Sequence, residues 1–243
     1  GLHLIGGPVT DNVRPDNSFK PMPRRGAAQL DSVVERHRQR HLEGHMTTTT
    51  VEIRPLSPAR LADFMDFFEG EAFSDNPKWS FCYCQCFYED HSKVHWAGRT
   101  AVENRECAIR RIAQGHMQDL LAYQEGQVVG WCNAAPRELL HALDAEPIAN
   151  PEHVGTILCF LVAPSSRGRG VATALLTAAC QYLRGQGLLF VEANPRPDAK
   201  GMAENHFGPV NMYLAAGFTV HRTDADGSVW VGKALQSTPK YRD

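Results

Sequence analysis

No stretch of this 243-residue chain comes near the roughly 18 uninterrupted apolar residues that a membrane-spanning helix needs, and no charged start leads into an apolar signal core. The expectation is a cytoplasmic chain with no membrane partner. Charge of one sign is also lacking: Lys and Arg number 25 against 27 Asp and Glu, a formal charge of -2. A global positive field that would hold a nucleic-acid backbone is therefore missing, and nucleic acid is not the expected partner. Neither Gly-Lys-Ser/Thr nor Gly-x-Gly-x-x-Gly occurs, which removes the Walker and dinucleotide-binding fingerprints. Cysteine is not scarce, but its count of seven is odd, and Cys107, Cys132, Cys159 and Cys180 stand singly in apolar or helical settings. That pattern suits reduced thiols rather than a disulfide framework. With 43% hydrophobic and 21% charged residues, the composition excludes wholesale disorder and leaves one large domain or two small ones.

The first 45 residues lack a core pattern. They carry Gly6-Gly7-Pro8, Pro15, Pro21, Pro23 and a charged run at 35–45, although 27–42 could wind into a helix. Gly44-His45-Met46 is the kind of junction an expression vector leaves ahead of an initiator methionine. The expected organisation is thus a leader over 1–45, either vector-derived or a poorly structured arm, and a folded domain over 46–243.

From residue 51 the pattern becomes regular. Val51-Glu52-Ile53-Arg54 alternates as a strand, and Ser57-Pro58 opens a helix with Leu61, Phe64, Met65 and Phe68 at helical spacing. Residues 100–114 predict a second helix with Val102, Cys107 and Ile109 on its apolar side. Two apolar runs around Glu125-Gly126 predict a hairpin over 120–135. A Pro-rich loop at 136–153 leads to TILCFLVAP at 156–164, a nearly continuous apolar run expected at the sheet centre. The helix predicted at 169–185 stripes Ala172, Leu175, Leu176, Ala179 and Leu183, and a strand follows at 188–194. A polar loop, a short helix at 209–217 and a hairpin across Asp226-Gly227 complete the chain. The order is β-α-α-β-β-β-α-β-α-β-β, a mixed α/β sheet with no internal repeat.

Chemistry is concentrated where the buried strand ends at Pro164 and an Arg/Gly turn opens into a helix. Gly168 and Gly170 let backbone N–H groups converge, the helix N-terminus adds partial positive charge, and Arg167 and Arg169 add more at the rim. Such a turn suits a pyrophosphate, although glycines there can also serve geometry alone.

Arg167-Gly168-Arg169-Gly170-Val171-Ala172 resembles the signature turn Arg/Gln-x-x-Gly-x-Gly/Ala of the GNAT superfamily of acyl-CoA-dependent N-acetyltransferases. Tyr213-Leu214-Ala215-Ala216-Gly217-Phe218 is similar to the family's Tyr-x-x-x-Gly-Phe stretch, in the right order and at a fitting separation. The resemblance covers roughly residues 50–235 and implies a mostly antiparallel central sheet with helices on both faces. It implies acetyl-CoA as co-substrate, no metal, and direct acetyl transfer to a primary amine, carried by a small molecule or by a protein or peptide, with a homodimer as a common assembly. Residue by residue, it implies that Leu161 and Val162 pair with the pantetheine arm. Arg167, Gly168, Arg169, Gly170, Val171, Ala172 and Thr173 would hold the pyrophosphate, and Tyr213 would act as general acid toward the departing thiolate.

No residue announces itself as the base. Glu192 follows the cofactor helix beside the expected splay in the sheet, where it is either a proton acceptor or an ordinary strand glutamate. His206 is either an acceptor-site residue or a surface histidine. Asn205 and Asn211 are further candidates for the cofactor, but Gly208-Pro209 alters the family's asparagine spacing. Lys78-Trp79-Ser80-Phe81-Cys82-Tyr83-Cys84-Gln85-Cys86-Phe87-Tyr88 falls where the superfamily builds its acceptor pocket, and Trp79, Phe81, Tyr83, Phe87 and Tyr88 are either its walls, the first three foremost, or an ordinary aromatic corner of the core. If that run were extended, Cys82, Cys84 and Cys86 would point the same way about 6–7 Å apart, which leaves a redox or metal role open. Two other functions share the fold: a non-catalytic acyl-CoA-binding protein that senses thiol oxidation or metal, and a toxin-type acetylator of aminoacyl-tRNA. The near-neutral charge argues against the second.

Overall fold

The computed structural model describes residues 50–146, 148–196, 204–225 and 227–235. The segment expected as a leader, and Asp226 of the last predicted turn, lie outside these residues. In chain order the elements are β1 (Glu52–Pro55), α1 (Leu61–Glu69), α2 (Ala101–Ala113), β2 (Leu120–Gln124), β3 (Gln127–Pro136), β4 (Val154–Val162), α3 (Val171–Gly185), β5 (Phe190–Ala193), α4 (Val210–Ala215), β6 (Thr219–Thr223) and β7 (Val229–Ala234). One seven-stranded sheet runs β1-β2-β3-β4-β5-β7-β6, and β4 with β5 is its single parallel pair among the described residues.

The period-two pattern sorts side chains onto two faces. Along β2, Leu121 and Tyr123 join α1 and α2 in one core, with Phe64, Phe68, Ile112 and Trp131. Leu120 and Ala122 enter the other core, with Leu175, Leu176, Ala179 and Leu183 of α3. Two glycines seat α3 against the sheet: a Cβ on Gly130 would lie 2.9 Å from Val171 Cγ1, and one on Gly155 2.7 Å from Leu183 Cδ1. Between β2 and β3 the turn falls at Glu125 and Gly126, both at positive φ (51° and 78°), as tight hairpins require.

β4 is buried along most of its length and lies mid-sheet, as its apolar run predicts. Its ladder with β3 slips at Leu158, where Asn133 pairs with Cys159 but Ala134 pairs with Ile157. The parallel ladder with β5 ends at the same place, at Ile157 and Ala193. A bulge bends its strand, so β4 leaves β5 here, and among the described residues Leu158–Val162 have no strand on that side.

Two local expectations need correction. α2 begins at the capping box formed by Thr100 and Glu103, but its buried residues are Asn104, Ala108 and Ile112, and Val102 is 65% exposed. The face is set by a polar residue: buried Asn104 donates to the Phe81 carbonyl at 2.9 Å and accepts from Arg99 Nε at 2.9 Å. Hydrophobic periodicity cannot see such an anchor. The cysteine-rich run is not extended either. Pro77–Cys82 and Gln85–Tyr88 are short 3-10 turns joined by Tyr83 and Cys84 at φ 43° and 51°, so the strand-like alternation of thiols does not exist.

Candidate active site

β4 ends at Val162, a single 3-10 turn carries the chain through Pro164–Ser166, and α3 starts at Val171. Gly168 and Gly170 have φ of 72° and 81°, and a Cβ on either would meet nothing within 4 Å, so conformation rather than crowding calls for glycine. Gly170 is the N-cap of α3 and brings no side chain to its first-turn N–H groups. Those donors and the helix dipole stay available to an anion. Arg167 is fixed at both ends: Nε donates to the Val162 carbonyl at 3.0 Å, and both terminal nitrogens reach the Asp75 carboxylate. The guanidinium holds Asp75 below the usual carboxylate range.

This turn is one wall of a cleft of about 620 Å³. Leu161 and Val162 form its floor, with Arg167, Gly168, Gly170, Val171, Ala172 and Thr173 at one end. Phe73, Asp75, Asn76 and Trp79 stand opposite, and Asn205, His206, Gly208 and Pro209 close a third side. Trp79 and His206 meet edge to face with ring centroids 4.8 Å apart. The cleft follows the stretch of β4 that β5 has left, so a ligand along the floor faces an open strand edge at one end and a helix N-terminus at the other.

Most residues named from the sequence meet here, and some do not. Arg169 is exposed and does not line the cleft. Phe81 packs against Trp96, with centroids 5.9 Å apart, and the buried Tyr83 donates its hydroxyl to Glu69 at 3.2 Å, so neither is a cleft wall. Glu192 is turned into the core: Arg137 Nη1 donates to it at 2.6 Å and Thr156 Oγ1 at 3.4 Å. Arg137 also donates to the carbonyls of Leu143 and Glu146, and both ion-pair partners are buried. Glu192 does not line the cleft, and its carboxylate is held by a buried cation.

Tyr213 is fully buried, and its hydroxyl donates to the Phe207 carbonyl at 2.7 Å. Burial pushes the phenol well above its ordinary pKa. A single residue separates the ring from the cleft: a Cβ on Gly208 would sit 3.2 Å from Tyr213 Cε2 and 3.4 Å from Phe160 Cε2. Asn205 lines the cleft, whereas Asn211 is exposed and does not. Sequence reading missed Phe73, Asn76 and Pro209, which irregular turns bring in without any periodic signal, while Phe160 lines the cleft from β4 beside the expected Leu161 and Val162.

Among the described residues, no group of three or more His, Cys, Asp or Glu side chains is placed to hold a metal, and no helix is long and apolar enough to cross a membrane. The profile of the Acetyltransferase (GNAT) family matches residues 82–208. No curated protein matches the sequence. Among solved structures, the aminoglycoside acetyltransferase AAC(6')-Ib in complex with coenzyme A is similar over 80% of this chain and 100% of its own, with 18% identity and a TM-score of 0.52. The PaiA N-acetyltransferase from Thermoplasma acidophilum in complex with coenzyme A matches 76% of this chain and 99% of its own, at 17% identity and TM-score 0.45. The GNAT domain of S. lividans PAT matches 76% and 90%, at 19% identity and TM-score 0.48.

Proposed function

Since the chain belongs to the GNAT family of acetyltransferases and is an acyltransferase enzyme, we propose that it moves an acetyl group from acetyl-CoA directly to an amine held in the same cleft. The observation that carries this reading is the continuity of the cleft. It joins an anion-binding helix N-terminus to an open strand edge and then to an aromatic wall.

Each part has a role in the reading. N–H groups from Gly168 to Thr173 take the pyrophosphate, and Arg167, already tethered to Val162, adds a guanidinium that suits phosphate oxygens. The unpaired side of β4 at Leu161 and Val162 hydrogen-bonds the amides of the pantetheine arm, which places the thioester deep in the cleft. Phe73, Trp79 and His206 enclose the acceptor amine, whether it belongs to a small molecule or to a protein.

The amine must attack as the neutral base, and the departing thiolate is best met by a proton donor. Tyr213 is proposed as that donor, lying under the side-chain-free Gly208 with its hydroxyl resting on the Phe207 carbonyl. Rotation about the phenolic C–O bond redirects the proton without moving the ring. Glu192 is given no part in deprotonating the amine, because Arg137 engages its carboxylate away from the cleft.

The test is a thiol-release assay with acetyl-CoA against small amines, polyamines, aminoglycosides and peptides with free N-termini, alongside calorimetric titration with coenzyme A. The expected result is saturable coenzyme A binding and thiol release with at least one amine class. Absence of binding at millimolar ligand would overturn the reading.

A further inference from the structure

Apart from the His206 imidazole, the cleft is lined by two titratable side chains, and they neutralise each other. Asp75 is the carboxylate and Arg167 the guanidinium. Both terminal nitrogens of Arg167 donate to Asp75, Nη2 to Oδ1 at 3.1 Å, and among the described residues Asp75 has no other side-chain partner. Lys78, on the same stretch of chain, does not line the cleft.

The guanidinium spans the cleft. Nε is held by the Val162 carbonyl on the floor at 3.0 Å, beside the proposed pyrophosphate turn, whereas the terminal nitrogens reach across to the opposite wall. The Arg167 side chain is 24% exposed and that of Asp75 44%, so water reaches the pair and the bridge is of the weak, exchangeable kind. A pyrophosphate offers the same planar fork more charge and more acceptor oxygens than a carboxylate does. Exchange would leave Asp75 as an uncompensated negative charge on a wall that it shares with Phe73 and Trp79. A carboxylate beside aromatic rings suits an organic ammonium ion. The reacting amine must be neutral when it attacks, so the ammonium taken by Asp75 is a second one on the same acceptor.

We propose that Asp75 is a cation subsite that coenzyme A switches on: the pyrophosphate takes the Arg167 guanidinium, and the released carboxylate binds the second ammonium of a small polycationic acceptor, a polyamine or an aminoglycoside. This deepens the acetyl-transfer reading and rests on it for the identity of the anion. Because one ion pair links the two ligands, each tightens the binding of the other by the same factor. A monoamine, which has no second ammonium, gains nothing from the subsite.

The experiment is calorimetric titration of the full-length protein with spermidine, first alone and then with coenzyme A at saturation, so that no acetyl group is present to turn over. Coenzyme A should tighten spermidine binding about tenfold or more, and saturating spermidine should tighten coenzyme A binding equally. Asp75→Asn should reduce both gains to within about twofold of none, which separates the subsite from general attraction between spermidine and bound phosphates. Arg167→Gln releases the carboxylate permanently, so spermidine alone should bind this variant as tightly as it binds the wild type loaded with coenzyme A. Kanamycin, titrated in parallel, tells a rigid aminoglycoside from a flexible polyamine, and a gain for either supports the subsite. Spermidine and kanamycin affinities that ignore coenzyme A, or a gain that survives in Asp75→Asn, would overturn it. Failure of coenzyme A to bind at all would overturn the acetyl-transfer reading and the switch with it, whereas the Arg167→Gln titration still decides whether Asp75 takes a cation.

Discussion

The Tyr213 hydroxyl rests on the Phe207 carbonyl at 2.7 Å, and the Glu192 carboxylate on the Arg137 guanidinium at 2.6 Å, so the same kind of substitution should read out differently at each. In Tyr213→Phe, turnover in the thiol-release assay should fall by about 100-fold or more, as loss of a general acid does, while calorimetric coenzyme A affinity stays within about twofold. Unchanged turnover would reduce the phenol to packing. Glu192→Gln should do the reverse. Removing one partner of a buried pair strands the Arg137 charge, and about 3–5 kcal/mol of stability should disappear in urea denaturation. Activity per folded molecule should not change. The Tyr213 outcome follows from the resemblance of its stretch to the family's, but the Glu192 outcome was not readable from the sequence, because Arg137 lies 55 positions away and no local pattern links them. What was readable is the Arg167–Thr173 turn, where glycines, arginines and a helix start sit side by side and each local preference points to the same geometry.

An element acquires function from what meets its ends. The start of α3 and the stretch holding Asp75 are joined by a bridge between residues 92 positions apart. Asp75→Asn removes a negative charge facing the proposed pyrophosphate site but leaves Arg167 tied to Val162. Coenzyme A should therefore bind roughly twofold to fivefold tighter, the scale of a partly exposed ion pair, and the gain should shrink in high salt. Weaker binding in calorimetry would mean that Asp75 serves to orient the arginine. At this scale the sequence was most informative: the order of strands and helices follows from periodicity, caps and turns, and the hairpin at Glu125-Gly126 and the break before α3 fall where those signals lie. The buried face of α2 was missed because Asn104 is held inside by hydrogen bonds. The cysteine run was misjudged because left-handed residues other than glycine leave no compositional mark.

The two layers on one side of the molecule are joined through a fully buried carboxylate. Asp119 accepts from Tyr88 at 2.7 Å, Asn133 at 3.0 Å and Trp131 at 3.2 Å, and burial pushes its pKa up to about 7. An unfolded aspartate loses its proton near pH 4. Between about pH 4 and 7 the native state thus holds the extra proton, and its stability should fall as pH rises, by at most about 1.4 kcal/mol per pH unit from this group. Above pH 7 that slope should vanish. Urea denaturation at a series of pH values checks it, and Asp119→Asn should remove the slope while costing about 1–3 kcal/mol, because the new amide nitrogen meets donors already in place. The edge strand β1 bears on a different property of the chain. Among the described residues its ladder partner is β2 alone, and Pro55 pairs with Leu120 about 65 residues later. At roughly 5–20 residues per second of synthesis, β1 leaves the ribosome about 3–13 s before its complement has been made. Until then its N–H and C=O groups have only water, or a neighbouring nascent chain, to pair with.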